Sequence, residues 1–234
     1  MPISINRKDF APKGLLLLAA TCVLCLFSLS GHFPLAGAFA LITIFLFYII
    51  ENIRSAKKCP ASETDAVAPK TDKKSVCLNI LRVIVGAVCI VAGSQLLVDN
   101  GSQIAASWGV SEALIGVTIV AVGTSLPELV TAITSLVKKQ SAMSIGNVIG
   151  ANVIDTTLIL AICSFVYGGK LPVSYQNIYL DFPVAILVTL IAVLPTLKNK
   201  RFCRWQGVLM LAIYIAYLLI VTVGLNSYLA LFHV

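Results

Sequence analysis

An all-α, polytopic membrane fold with about seven transmembrane helices is what this sequence predicts, and three observations predict it. Of 234 residues, 59% are hydrophobic and only 12% are charged. The mean hydropathy of +0.96 lies far above that of soluble domains. The apolar residues gather into runs long enough, or nearly so, to cross a hydrocarbon core. Finally, the net charge of +7 sits in short Lys and Arg blocks between those runs, as the positive-inside rule expects of membrane loops. No aromatic-basic module of the nucleic-acid-binding kind is present, so the expected surroundings are a lipid bilayer and not nucleic acid.

Taken in order, the first run (14–30) follows Arg7, Lys8 and Lys13 and ends in Ser28-Leu29-Ser30-Gly31. A basic flank, a short apolar run and small residues also fit a secretory signal peptide. We read it as a helix because the next run (34–50) begins almost at once and pairs with it as a hairpin. Residues 54–74 form the long polar segment, with Arg54, Lys57, Lys58, Lys70, Lys73 and Lys74 around Pro60 and Pro69. Such a segment reads as a cytoplasmic linker with little structure. Five runs follow, at 76–98, 112–137, 142–166, 182–197 and 205–223. Alternation puts Lys138, Lys139, Lys198, Lys200, Arg201 and Arg204 inside, and leaves only Lys170 in the outside loops. The expected location is the plasma membrane, or the inner membrane of a bacterium. Cys22, Cys25, Cys89 and Cys163 lie within apolar runs and read as small hydrophobes, not as redox or zinc ligands. Trp108, Trp205, Tyr167, Tyr175 and Tyr179 lie near run ends and read as interfacial anchors.

Two runs carry a carboxylate where hydrocarbon is expected. Residues 116–155 read GVTIVAVGTSLPELVTAITSLVKKQSAMSIGNVIGANVID, with Glu128 in the first run and Asp155 in the second. A charge at the bilayer centre costs about 2.5–3.5 kcal/mol or more, so such groups are functional by default. At ~1.5 Å per residue from the Lys138–Ser141 turn, both acids reach roughly the midplane of a ~30 Å core. Gly123 and Pro127 interrupt the first run, and Gly146 and Gly150 the second. A proline removes a helical hydrogen bond, so carbonyls at 120–123 are expected to be freed for a cation. Thr124, Ser125, Asn147 and Asn152 add neutral oxygens, giving a hard-cation site without His or Cys. Close helix packing alone would explain the glycines but not the acids.

An internal repeat appears at a constant offset of 170: Pro2 meets Pro172, Leu17 meets Leu187, Gly37 meets Gly207 and Leu41 meets Leu211. The basic residues flank the start of the first hairpin but the turn of the second. One hairpin is therefore inserted opposite to the other, as an inverted-topology repeat requires. The expected division is 1–53 as a two-helix remnant of a first repeat, 54–75 as the linker and 76–234 as a complete five-helix repeat. No second GTSLPE-like segment occurs in the chain.

Gly123-Thr124-Ser125-Leu126-Pro127-Glu128 followed by Gly146-Asn147-Val148-Ile149-Gly150-Ala151-Asn152 closely resembles an α-repeat of the sodium/calcium exchanger family, over residues 115–162. The resemblance implies an antiporter built of two inverted five-helix halves, of which this chain holds the second and the last two helices of the first. It implies that Glu128 is one of a pair of calcium-coordinating glutamates, and that Ser125 and the region of Ala121 and Thr124 supply hydroxyl or carbonyl oxygen. Asp155 falls where the family uses Asp or Asn in the cation site. Where the family reads Gly-Ser-Asn, this chain has Gly150-Ala151-Asn152, so one serine hydroxyl is absent.

The expected activity is therefore exchange of calcium for sodium by alternating access, with no cofactor and with potassium or protons as alternative counter-ions. Because calcium takes about 6–8 oxygens, one α-repeat supplies too few. The missing half is expected from a longer gene in which Met1 is internal, from a separate first-half polypeptide, or from a second copy. The competing readings are a non-transporting or degenerate membrane subunit and an intramembrane hydrolase using Glu128 and Asp155 as a general acid–base pair.

Overall fold

A backbone in hydrocarbon must bond to itself, and a helix does so within one segment. The computed structural model, which describes residues 3–5, 7–58 and 73–232, is accordingly almost all helix. The helices are α1 (Arg7–Ser28), α2 (Leu35–Lys58), α3 (Lys73–Ser107), α4 (Glu112–Ile115), α5 (Ala121–Thr124), α6 (Leu126–Val137), α7 (Ser141–Ile154), α8 (Leu160–Val166), α9 (Phe182–Asn199) and α10 (Arg204–Phe232). Three π-helical turns join or precede them, at Gly116–Val120, Asp155–Ile159 and Asn177–Asp181. Among the described residues six helices are long and apolar enough to cross a membrane, or seven if the bent pair Gly116–Thr124 and Leu126–Val137 is one span.

Two boundaries differ from the sequence reading. Helix α3 runs on through Asp99 and Asn100, which the sequence assigned to a loop beginning at 99. The Asn100 amide donates to the Leu96 carbonyl at 2.7 Å, and the helix stops only where Gly109, at φ +78°, permits a left-handed cap. There the Val110 N–H reaches back to the Ala105 carbonyl and the Gly109 N–H to Ala106, both at 3.0 Å, a Schellman closure. The polar linker is also shorter than expected, since α2 continues to Lys58 and α3 begins at Lys73. Its middle, residues 59–72, lies outside the described residues.

The chain divides into two compact units. One comprises α3, α4, α5 and most of α6, with the end of α10. Here α3 packs on α5 and the first π turn through glycine: a Cβ on Gly123 would lie 2.3 Å from Val98 Cγ2, and one on Gly101 3.1 Å from Ile119 Cγ2. Much of the rest of α3 is exposed apolar surface, including Val83, Ile84 and Val88, which suits a lipid-facing helix.

The other unit holds α1, α2, α7, α8, α9 and the first part of α10. Its core joins Ala20, Ala38, Leu41, Phe33 and Ala161, all fully buried. Gly37 is required there, because a Cβ would stand 2.7 Å from the Phe33 ring. Two short antiparallel ribbons, which an all-helical reading does not anticipate, tie the unit together. Strand β1 (Ile3–Ser4) pairs with β4 (Arg201–Phe202), and β2 (His32–Phe33) with β3 (Leu171–Pro172).

These ribbons are copies of one another. Ile3 faces Phe202 and Ser4 faces Arg201, while Leu171 faces Phe33 and Pro172 faces His32. Each ends in the same bond, from Ile5 N to Lys200 O and from Val173 N to Gly31 O, both at 3.0 Å. Both acceptor residues are left-handed, Gly31 at φ +79° and Lys200 at φ +54°. The start of each hairpin thus pairs with the turn of the other. Reciprocal pairing of this kind is what two oppositely directed hairpins produce, at an offset just short of the 170 read from the sequence.

Candidate cation site

Glu128 stands in the first turn of α6, and the chain leading to it departs from α-helix twice. Ser111 starts the segment, its hydroxyl accepting from the Leu114 N–H at 3.4 Å. After α4 the backbone widens into the π turn Gly116–Val120, a form that recurs at functional sites. It then breaks at Ser125 (φ −89°, ψ −1°), and α6 departs from the preceding axis by 49°. Pro127 places the break: as the second residue of α6 it needs no amide partner, whereas inside a continuous helix it would remove one.

The order Ser125-x-x-Glu128 is that of a capping box, in which the glutamate returns to the serine N–H. That bond is pre-empted. The Ser125 N–H goes instead to the Ala121 carbonyl at 3.3 Å, and Glu128 Oε2 is buried without a hydrogen-bond partner. A buried carboxylate oxygen left this way is costly unless something positive meets it.

The carbonyls that the sequence reading expected to be freed at 120–123 are partly engaged. Thr124 Oγ1 donates to Val120 O at 2.9 Å and to Ala121 O at 3.2 Å. Ala121 O thus accepts from both Thr124 and Ser125, while the Thr124 hydroxyl oxygen keeps its lone pairs. The carbonyls just before the break, Val120 and Ala121, are thus both engaged by the threonine hydroxyl within one turn.

Asn147, Asn152 and Asp155 belong to the other unit, along α7 and the π turn that follows. The sequence reading placed the interruption of this span at Gly146 and Gly150; the structure corrects it. Helix α7 passes through both glycines without a break, and the irregularity is the π turn Asp155–Ile159, which begins on the acid itself. Gly146 has nothing within 4 Å of a built Cβ, whereas Gly150 is buried against Tyr48. Asn152 donates its amide to Val148 O at 2.8 Å, which turns its own amide oxygen away from the helix, and the Thr156 hydroxyl donates to the Asn152 carbonyl. Asn147, Asn152 and Asp155 are exposed on this unit, as are Ala121, Thr124 and Ser125 on theirs; Glu128 is half-buried.

Among the described residues no three His, Cys, Asp or Glu side chains gather, so a cation bound here would draw largely on neutral oxygen. Asn152 also lines a cavity of about 370 Å³, but its neighbours there are Phe10, Leu17, Val148, Val193 and Met210, walls too apolar for an ion. The sequence reading missed Tyr48 and the threonines of the π turns. Thr157 is fully buried, and Thr118, in the first π turn, donates to Leu114 O. The available signal was threonine in the two widened turns on the acid-bearing spans, Gly116–Val120 and Asp155–Ile159.

The family model described as sodium/calcium exchanger protein matches residues 78–223. The sodium/calcium exchanger MaX1 of Methanosarcina acetivorans is 32% identical over 142 residues, which is 61% of this chain and 40% of that protein. An uncharacterized membrane protein of Methanocaldococcus jannaschii is 31% identical over 175 residues, covering 75% of this chain and 54% of the relative. A solved structure of the sodium-calcium exchanger NCX_Mj, soaked with sodium and strontium, superposes with a TM-score of 0.70 at 28% identity, over 92% of this chain and 67% of that one. The chain spans about half the length of the curated relatives it matches.

Proposed function

The chain belongs to the sodium/calcium exchanger family, and on that footing we propose that it takes part in exchanging calcium for sodium across a bilayer by alternating access. The observation that carries the proposal is Glu128: an acid in the first turn after a 49° break, with Oε2 buried and unpartnered. Such an oxygen is set to meet a cation. Thr124 and Ser125 at the break add hydroxyl oxygen, and on the other unit Asp155, Asn152 and Asn147 offer a further set of candidate ligand oxygens. Ala121 O, already accepting twice, is the weakest member of the group.

Calcium and sodium compete for the same carboxylates in this reading. An emptied pair of carboxylates would carry uncompensated negative charge across the bilayer, so the ligands leave one side of the membrane only when loaded. Protons are proposed as a further competitor. Family membership places the chain among transporters and not enzymes, which sets the hydrolase reading aside. The linker side is proposed to be cytoplasmic, and a second α-repeat, from a further polypeptide segment or a second copy, is proposed to complete the ligand shell.

Sodium-gradient-driven calcium uptake into vesicles carrying the 234-residue chain tests this, with Glu128→Gln alongside. Uptake abolished by the substitution supports the reading. Uptake that persists in Glu128→Gln refutes the role given to that residue.

A further inference from the structure

Resting on that reading, we propose that Tyr48 is a positioning residue for Asp155 and acts through Gly150. Helix α2 presents Ala38, Leu41 and Tyr48 at helical spacing, with exposures of 0%, 0% and 7%. The upper part of this face packs with Ala161 of α8 in one buried cluster. Its lower end meets α7, where Tyr48 packs with Val153 and Leu17. At Gly150 the approach is closest: a Cβ there would lie 2.8 Å from the Tyr48 hydroxyl, with no other atom outside α7 within 4 Å among the described residues.

The π turn Asp155–Ile159 lies between these two contacts. A π turn holds an extra residue, and one residue corresponds to ~100° of rotation about a helix axis. Were α7 and α8 free to turn, the chain would relax to a regular α-helix and recover ordinary hydrogen bonding. Ala161 holds the upper helix in azimuth, and the Tyr48–Gly150 contact holds the lower one. The extra residue is thereby confined between them, beginning at Asp155. The direction of that carboxylate is set by a phenol on another helix.

Gly150→Ala drives a methyl group into the Tyr48 hydroxyl, and Tyr48→Phe removes the atom it strikes. The experiment measures equilibrium binding of radioactive calcium to the purified full chain, with a thermal melt for each variant. Gly150→Ala is expected to weaken calcium binding roughly 10–100-fold, as loss of a ligand-orienting contact does. Tyr48→Phe, which removes the hydroxyl that abuts Gly150, is expected to weaken binding several-fold, and Tyr48→Phe with Gly150→Ala, in which the methyl group occupies the space the hydroxyl left, to regain most of the lost affinity. A double variant as weak as Gly150→Ala overturns the proposal. So does a Gly150→Ala protein that melts earlier yet binds calcium normally, since the contact then only packs helices. Absence of calcium binding by the wild-type chain would instead sink the exchanger reading on which the proposal rests.

Discussion

Ser125 and Glu128 stand at capping-box spacing, yet the serine N–H bonds to Ala121 O at 3.3 Å and Glu128 Oε2 is left buried without a partner. The helix start is thus held by the preceding turn and not by its own acid. A carboxylate released from capping is available for other work.

That arrangement makes stability and function respond in opposite directions. Without cation, Glu128→Gln is expected to raise the melting midpoint, because a neutral amide relieves a buried, unpaired carboxylate oxygen; the gain should be about 1–3 kcal/mol. With calcium added, the wild-type chain should be stabilised and the variant should lose roughly tenfold or more in apparent affinity. Melts with and without calcium decide it, and a variant that is destabilised without cation would contradict the account.

Gly123→Ala probes the close approach of α3 to α5. Its methyl group would overlap Val98 Cγ2, at 2.3 Å, and valine is too stiff at χ1 to swing aside freely. The expected cost is about 1–3 kcal/mol by thermal unfolding. Val98→Ala added to Gly123→Ala should recover much of it.

Gln206 is fully buried at the turn of the second hairpin. Its Oε1 accepts from the Cys203 N–H at 2.8 Å, and its Nε2 donates to Ile191 O at 2.8 Å and to Thr196 Oγ1 at 2.9 Å. It therefore closes the start of α10 as the glutamine of a capping box and fastens it to α9. Gln206→Leu leaves these groups unsatisfied, and a loss of about 1–3 kcal/mol is expected in the same melt.

Orientation is tested by labelling. In a background free of the seven native cysteines, cysteine at Lys139 and cysteine at Lys170 should react with an impermeant thiol reagent from opposite faces of sealed vesicles. Reaction of both from one face would overturn the proposed topology.

The sequence by itself determined which segments span, that two hairpins are inverted, and that Glu128 and Asp155 are the groups to explain. Those are local properties: hydropathy accumulates along a run, loop charge marks a side, and a carboxylate in hydrocarbon is costly wherever the chain folds. It also marked the break at Gly123–Pro127, because proline lacks an N–H in any environment. Tertiary structure alone decided how the second span is interrupted. Gly146 and Gly150 looked like helix breakers, yet α7 runs straight through them. Glycine only lowers the cost of irregular backbone, whereas the π turn begins at Asp155, in a stretch that packs against α2. Likewise, whether Glu128 caps its helix depended on a competitor, Ala121 O, which takes the Ser125 N–H because the preceding helical turn is retained up to the break. Neither outcome has a local code, because each is set by packing between segments distant in the chain or by competition for one donor.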